Sequence, residues 1–352
     1  MIVGIVGGGQ LARMMALAGI PLGMRFIFLD PASDACAASL GEHLCGNYDD
    51  EALLAEMAER ADVVTYEFEN VPSSAIAYLA KKIDVFPSEL ALATARDRLN
   101  EKSLFAELSI PTVPFATVDS LEELQQAASG IGLPAILKTR TLGYDGKGQA
   151  VLRSLEDLQD AWNRIGNVPL LLEKMTTFRR ELSIISVRGR NGEICHYPLS
   201  ENIHRDGILH SARSLPADAQ QGRAEEYAER LLEKLEYVGV MALELFDTGD
   251  ALLANEMAPR VHNSGHWSIE GAATSQFENH LRAVAGLPLG STEAKGYARM
   301  YNFIGEVPEI SRILSVHGAH LHDYQKKPFP GRKVGHATLW SASPIGEQYP
   351  FA

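Results

Sequence analysis

Along the chain, short fully apolar runs alternate with stretches in which apolar residues return every three or four positions. The run IVGIV after Met1 and the run RFIFLD ending at Asp30 read as buried strands, with QLARMMALAG between them as a helix. A third run, ADVVTYEFENVP, and a helix over about 73–82 continue the alternation, so residues 1–95 are expected to form a small doubly wound, Rossmann-like unit. ARDRLNEKSLFAELSIPTVPF then reads as a helix running into a proline-punctuated link, which makes 96–116 a connection. Residues 117–172 hold a compact α+β unit: a helix around 121–128, strand AILKT, a glycine-rich loop, strand QAVLR, a helix around 155–165 and strand PLLLEKM. Its size suits a lid. The remainder, 173–352, is strand-rich, with a hairpin through Asn191-Gly192, a helix over about 217–235 and a second hairpin, GVMALELFDTGDALLANEMAPR.

The second hairpin carries chemistry. Its turn, DTGD, is centred near Gly249 and Asp250, which puts Glu244 opposite Glu256 or one place off. Like charges facing each other on a sheet repel, and the flanking MAL and ALLA are apolar, so the two carboxylates are expected to be half buried. Such a pair favours a shared cation, and Mg²⁺ suits oxygen donors while keeping water or nucleotide phosphate oxygens in its shell. The plain alternative is that the acids splay into solvent or pair with an arginine such as Arg260.

Two glycine loops offer anion sites. Gly7, Gly9 and Ala12 fit G-x-G-x-x-A with an acid, Asp30, about 18 residues beyond Ala12, the pattern of a dinucleotide site. The same glycines serve any phosphate at a helix N-terminus, or simply close strand–helix packing. In LKTRTLGYDGKGQA, Lys138 ends a strand and points toward the loop from Gly143 to Gly148, whose backbone N–H groups are free to approach a polyanion. No GK[ST] follows at the spacing a Walker A loop needs, and Tyr144 and Asp145 exceed what a bare turn requires.

Composition narrows the partners. A net charge of −13 over 352 residues disfavours a broad grip on nucleic acid or on an anionic membrane. Cys36, Cys45 and Cys195 form no CxxC pair, and their odd number fits a reducing cytoplasm better than a disulfide framework. The N-terminus has no signal-peptide pattern and no apolar run reaches membrane-spanning length, so a soluble, untargeted chain is expected.

GYDGKGQ behind Lys138, LLLEKMTTFRREL, ALELF and NEMAPRVHNSGHW together resemble the ATP-grasp superfamily, and nearly the whole chain, from GGGQLARM to GRKVGH, is similar to its branch that carboxylates an aminoimidazole ribonucleotide in purine biosynthesis. The resemblance implies an ATP-grasp fold with an N-terminal Rossmann-like (pre-ATP-grasp) domain, a small α+β lid and a C-terminal α+β domain. It implies ATP between lid and C-terminal domain, with Arg98, Lys138 and the loop Gly143, Tyr144, Asp145, Gly146, Lys147, Gly148 and Gln149 on the phosphates. Glu173, Lys174, Met175 and Thr176 would offer backbone to the adenine, and Glu181 would take ribose hydroxyls. His204, Asn255 and Glu256 complete the ATP set, and Glu244 and Glu256 hold Mg²⁺. Ala258 stands where many ATP-grasp enzymes have an asparagine, which leaves a third protein ligand in doubt.

For 5-aminoimidazole ribonucleotide the same resemblance points to Gly9 and Gln10 with Lys327, Arg332 and Lys333 on the phosphate, Glu67 or Glu69 on the ribose, and Asn263 on the sugar. The implied reaction is ATP-driven N-carboxylation by bicarbonate through carboxyphosphate, with a homodimer as the implied assembly. Tyr144 would bind carboxyphosphate, Asp145 would accept the amine's hydrogen bond or proton, and Arg260 and Lys333 would complete the catalytic set. The rivals are a formate-dependent glycinamide ribonucleotide transformylase, against which APRVHNSGHW speaks, and a nucleotide-binding regulator without catalysis.

Overall fold

In the computed structural model, which describes residues 1–143, 148–346 and 348–351, the strands fall into three sheets. Strand Ile2–Val6 pairs with Arg25–Asp30 on one side and Val63–Tyr66 on the other, and Glu42–Cys45 extends the far side, all parallel. Val3, Ile5, Val6 and Val64 are fully buried, as expected for a parallel sheet covered on both faces. Because the first strand stands inside the sheet, chain order reverses between it and Val63–Tyr66. In open α/β sheets such a switch point opens a crevice beyond the carboxyl ends of the strands. The loops leaving these two strands, 7–9 and 67–70, therefore meet there.

Strands Phe115–Val118, Leu170–Lys174, Ala135–Thr139 and Gln149–Leu152 form a small antiparallel sheet in that order. Helices Leu121–Ile131 and Asp157–Ile165 cover it, burying Leu124, Leu137, Leu152, Leu158 and Leu172. Ser120 begins the first of these helices by accepting the Glu123 N–H at 3.1 Å, while Glu123 reaches back to the Asp119 N–H at 2.7 Å.

The third sheet has nine strands, with Leu252–Ala258 at one edge and Ala319–Asp323 at the other. Side chains alternate across strand Gly239–Asp247: Met241 and Leu243 pack with Leu231 and Leu232 of helix Gln221–Lys234, whereas Val240 and Ala242 pack with Leu281 and Val284 of helix Gln276–Val284. The second of these cores continues into Val3 and Phe26, so the N-terminal sheet and the large sheet share it. His280 clips them together. Its Nδ1 accepts the Val240 N–H at 3.1 Å, which leaves the proton on Nε2 to face Thr65 Oγ1 at 2.8 Å.

One element departs from the expected pattern. The helix read from Ala95 onward is broken at Asp97, which lies between Glu89–Arg96 and Arg98–Glu107 in extended backbone. Its carboxylate accepts the Leu99 N–H at 2.9 Å and pairs with Arg140 of the lid, so a new helix starts there with Arg98 as its first residue. Among the described residues no helix is long and apolar enough to cross a membrane, and the three cysteines are free.

Candidate active site

The switch-point loops, the lid and the face of the large sheet that carries Glu244 and Phe246 enclose one cleft of about 680 Å³. Strands Gly239–Asp247 and Leu252–Ala258 put the two acids there. Leu243 pairs with Met257 but Leu245 pairs with Ala254, so the register slips and Glu244 faces both Asn255 and Glu256. This bulge turns both acids toward the cleft. Burial and the charge of Glu256 push Glu244 up to about 7. Burial also acts to raise Glu256, but Arg98 and Lys138 outweigh it and hold its carboxyl below the usual range.

Cations and carboxylates pair around the acids. Arg98 Nη1 lies 3.0 Å from Glu256, and Lys138 Nζ lies 2.6 Å from Glu173, whose other oxygen is 3.5 Å from Lys102. His204 Nδ1 meets Glu181 at 2.6 Å, and the carboxylate overcomes the effect of burial to raise the imidazole. Across the cleft Arg260 Nε pairs with Glu69 at 2.5 Å, which holds Glu69 at about 2 despite its burial. His262 was not foreseen. Burial, with Arg260 and Lys333 nearby, lowers it to about 3, so it is neutral. Ser264 N–H points at its Nδ1 from 3.4 Å, which leaves the Nε2 proton to face Glu244 at 3.3 Å.

At the switch point Glu67 buries its carboxylate on the start of helix Gln10–Gly19, accepting the N–H of Gly9 and, at 2.9 Å, that of Ala12. A Cβ on Gly9 would come within 2.7 Å of that carboxylate, so the glycine's first constraint is Glu67. Asp30, the acid of the dinucleotide pattern, is turned back onto Gly8 N–H at 2.8 Å and Tyr48 Oη at 2.9 Å. Gln10 remains at the cleft and its Oε1 accepts from Lys326. Lys327, the expected cation, instead has a side chain 81% exposed and pairs with Asp34. Lys326, which reaches the cleft residue Gln10, is the one of the two lysines turned inward. Lys333 and Asn263 line the cleft, the latter held by Asn302 and His266. Arg332 does not line it. It donates to the Lys327 carbonyl at 3.3 Å.

The lid residues divide. Lys138, Gly143 and Gln149 line the cleft, and Gly148 has a positive φ of 70° with no room for a Cβ beside Thr139. Tyr144, Asp145, Gly146 and Lys147 lie outside the described residues. Glu173, Lys174, Met175 and Thr176 do not border the cleft. The Glu173 carboxylate is buried among lysines, and the N–H groups of Lys174 and Met175 already bond the carbonyls of Pro114 and Pro134. An aromatic pair also went unread: Phe178 and Phe246 stack at 4.8 Å between centroids and both line the cleft.

Residues 1–96 match the ribonucleotide synthetase preATP-grasp domain, 103–277 the ATP-grasp domain, and 298–344 the phosphoribosylaminoimidazole carboxylase C-terminal domain. The chain is 55% identical over 337 residues to the N5-carboxyaminoimidazole ribonucleotide synthase of Pseudomonas aeruginosa, covering 96% of this chain and 94% of that one. It belongs to the N5-carboxyaminoimidazole ribonucleotide synthase family. The solved synthetase of Thermus thermophilus superposes with a TM-score of 0.93 at 52% identity, over 97% of this chain and 94% of that one. The synthase of Aspergillus clavatus, solved with ADP and 5-aminoimidazole ribonucleotide, superposes at 0.90 with 31% identity, covering 97% and 94%. The ATP-grasp fold with its preATP-grasp unit and carboxylase C-terminal domain is thus the fold the sequence resembled.

Within this synthase family frame, the residues missed by sequence reasoning are Lys326, His262, Phe178, Phe246, Glu101 and Lys102. His262 and Phe246 stood inside motifs already singled out, VHNSGHW and ALELF. Glu101 and Lys102 carried no signal.

Proposed function

We propose that the chain carboxylates the exocyclic amine of 5-aminoimidazole ribonucleotide at the expense of ATP, with bicarbonate as the carbon source, as a ligase of purine biosynthesis. The observation that carries this reading is one cleft joining a switch-point crevice lined by Gln10 and Lys333 to an opposed carboxylate pair flanked by Arg98 and Lys138. The first suits a sugar phosphate and the second suits a metal-bound polyphosphate. The donor set fits Mg²⁺, because two carboxylates on facing strands, one raised to about 7 by burial and its neighbour's charge, are relieved by a divalent cation. Mg²⁺ held by Glu244 and Glu256 would supply charge stabilisation to a transferring phosphoryl group.

In this reaction a bicarbonate oxygen bonds to the γ-phosphorus as the bond to ADP breaks, giving carboxyphosphate. The amine nitrogen then bonds to the carboxyl carbon, phosphate leaves with the electron pair, and the nitrogen loses a proton. Lys138 and Arg98 exchange their carboxylate partners for phosphate oxygens, so cations already oriented in the cleft meet the developing charge. Arg260, held by Glu69, faces the bicarbonate-derived group, and Lys326 with Lys333 and Gln10 holds the ribonucleotide phosphate. Tyr144 and Asp145 keep their proposed roles toward carboxyphosphate and the amine. A cytoplasmic homodimer is the proposed setting: three free thiols suit a reducing compartment, and sedimentation measures the assembly.

The test is a substrate balance. ATP hydrolysis is expected to require both bicarbonate and 5-aminoimidazole ribonucleotide and to yield a nucleotide heavier by one carboxyl group. Turnover that requires formate and glycinamide ribonucleotide instead would assign the chain to the transformylase branch.

A further inference from the structure

Strand Leu252–Ala258 is an edge strand, so one side of its backbone has no strand partner. That side is closed in another way. Ala254 N–H donates to the Pro111 carbonyl at 2.7 Å, and helix Arg98–Glu107 covers the next three residues. Lys102 Nζ donates to the Asn255 carbonyl at 2.9 Å, Glu101 accepts the Met257 N–H at 2.6 Å, and Arg98 pairs with the Glu256 carboxylate between them. Positions 98, 101 and 102 are spaced three and four apart and share one face of the helix. These bonds fall at the bulge opposite Glu244, where the inner ladder is irregular and gives the backbone least support.

Both helix side chains are buried, Glu101 to 2% exposure and Lys102 to 1%. Ionisable groups are costly to bury, and apolar residues of similar size usually stabilise a fold at least as well. Stability alone therefore does not account for them. They also have company that matters. Lys102 stands 3.5 Å from Glu173, which in turn holds Lys138 at 2.6 Å, so one helix reaches the carboxylate strand on one side and a phosphate-facing lysine of the lid on the other.

We propose that Glu101 and Lys102 are positioning residues, which lock the bulged segment 255–257 from its open edge and so fix the direction in which Glu256 presents its carboxylate to the cleft. The inference rests on the reading of Glu256 as a metal ligand. Glu101 acts on the strand through the Met257 N–H, next to Glu256. Lys102 acts on two sites, through the Asn255 carbonyl and through Glu173 to Lys138.

The test is calorimetric titration of ADP into the full-length protein with and without saturating Mg²⁺, with thermal melting to verify folding. Glu101→Leu removes the acceptor and is expected to lose up to about tenfold of the Mg²⁺-dependent affinity, the scale of one hydrogen bond, while Mg²⁺-free affinity stays within about twofold. Glu101→Gln keeps an oxygen for Met257 N–H and should stay within about threefold of the wild type, a rescue that a purely electrostatic role would not give. Lys102→Met is expected to weaken ADP both with and without Mg²⁺, and it carries the test if Glu101→Leu does not fold. Glu256→Gln is the control. If it loses the Mg²⁺ effect while Glu101→Leu and Lys102→Met bind as the wild type does, the positioning role is wrong and the metal reading stands. If Glu256→Gln keeps the full Mg²⁺ effect, the metal reading falls and the inference with it. Equal damage from Glu101→Gln and Glu101→Leu would likewise overturn the hydrogen-bond role.

Discussion

At Glu256 a carboxylate stands between attraction and repulsion, 3.0 Å from Arg98 on one side and opposed by the charge of Glu244 on the other. Removing its charge relieves the repulsion but takes away half of the proposed metal site. Glu256→Gln is therefore expected to stay folded, the relieved repulsion offset by the lost attraction to Arg98 and Lys138, and to lose at least ~10²-fold in ATP turnover. Turnover within a few-fold of normal at saturating Mg²⁺ would contradict the assignment. The lysine pair gives a second prediction at this scale. Truncating one partner of a partly buried charge pair costs about 2–5 kcal/mol, so Lys326→Met should raise KM for the aminoimidazole ribonucleotide by about 30-fold or more and leave KM for ATP nearly unchanged. Lys327→Met should change neither, and the reverse result would restore Lys327 to the site. The difference between these neighbours was not legible in the sequence, because QKKPFPGRK has no period from which to read an inward face. Glu244 and Glu256 were legible, because a tight turn and a two-residue strand period constrain which side chains oppose each other.

The element that most changes the picture is helix Arg98–Glu107. The sequence reads it as part of a connecting helix that starts at Ala95, since ARDRLNEK contains no proline or glycine to stop one. Asp97 ends the first helix and begins the second, because its carboxylate takes the Leu99 N–H and Arg140 anchors it from the lid. Arg98, the first residue after the break, lines the cleft. Loss of an N-cap costs about 1 kcal/mol, so Asp97→Ala should lower unfolding free energy by at least that amount and raise KM for ATP as Arg98 loses its fixed start. Asp97→Asn, which still caps, should recover most of the stability, and denaturant melts of the two variants distinguish them. No loss in either variant would mean that Arg140 and the cap are dispensable. Strand Ala135–Thr139 and the hairpin through Asn191-Gly192 followed their sequence patterns, whereas helices Glu89–Arg96 and Gln276–Val284 were not read from the sequence.

On the scale of the whole molecule, the cleft exists because the N-terminal sheet and the large sheet share a core, and His280 stands where they meet. Burial lowers His280 to about 4. A histidine with a depressed folded value contributes stability above its unfolded pKa, and that contribution is lost as pH falls from about 6.5 toward 4, by about 1.4 kcal/mol per pH unit. In His280→Gln both hydrogen bonds can be kept without the titration. The stability advantage of the wild type over this variant should therefore shrink as pH drops through that window, and an advantage independent of pH would show that His280 is not the buried neutral clip described here. Such long-range joints were hidden in the sequence, since Thr65 and His280 are 215 positions apart and neither carries a motif.

This cleft is proposed to activate bicarbonate by phosphorylating it. The most direct measurement uses bicarbonate labelled with oxygen-18, ATP and 5-aminoimidazole ribonucleotide, with mass analysis of the phosphate released. An oxygen of bicarbonate that attacks the γ-phosphorus stays on phosphorus when the carboxyl group is transferred, so each phosphate formed is expected to carry one labelled oxygen. Carboxylated nucleotide formed alongside unlabelled phosphate would show that bicarbonate is never phosphorylated, and would contradict the account.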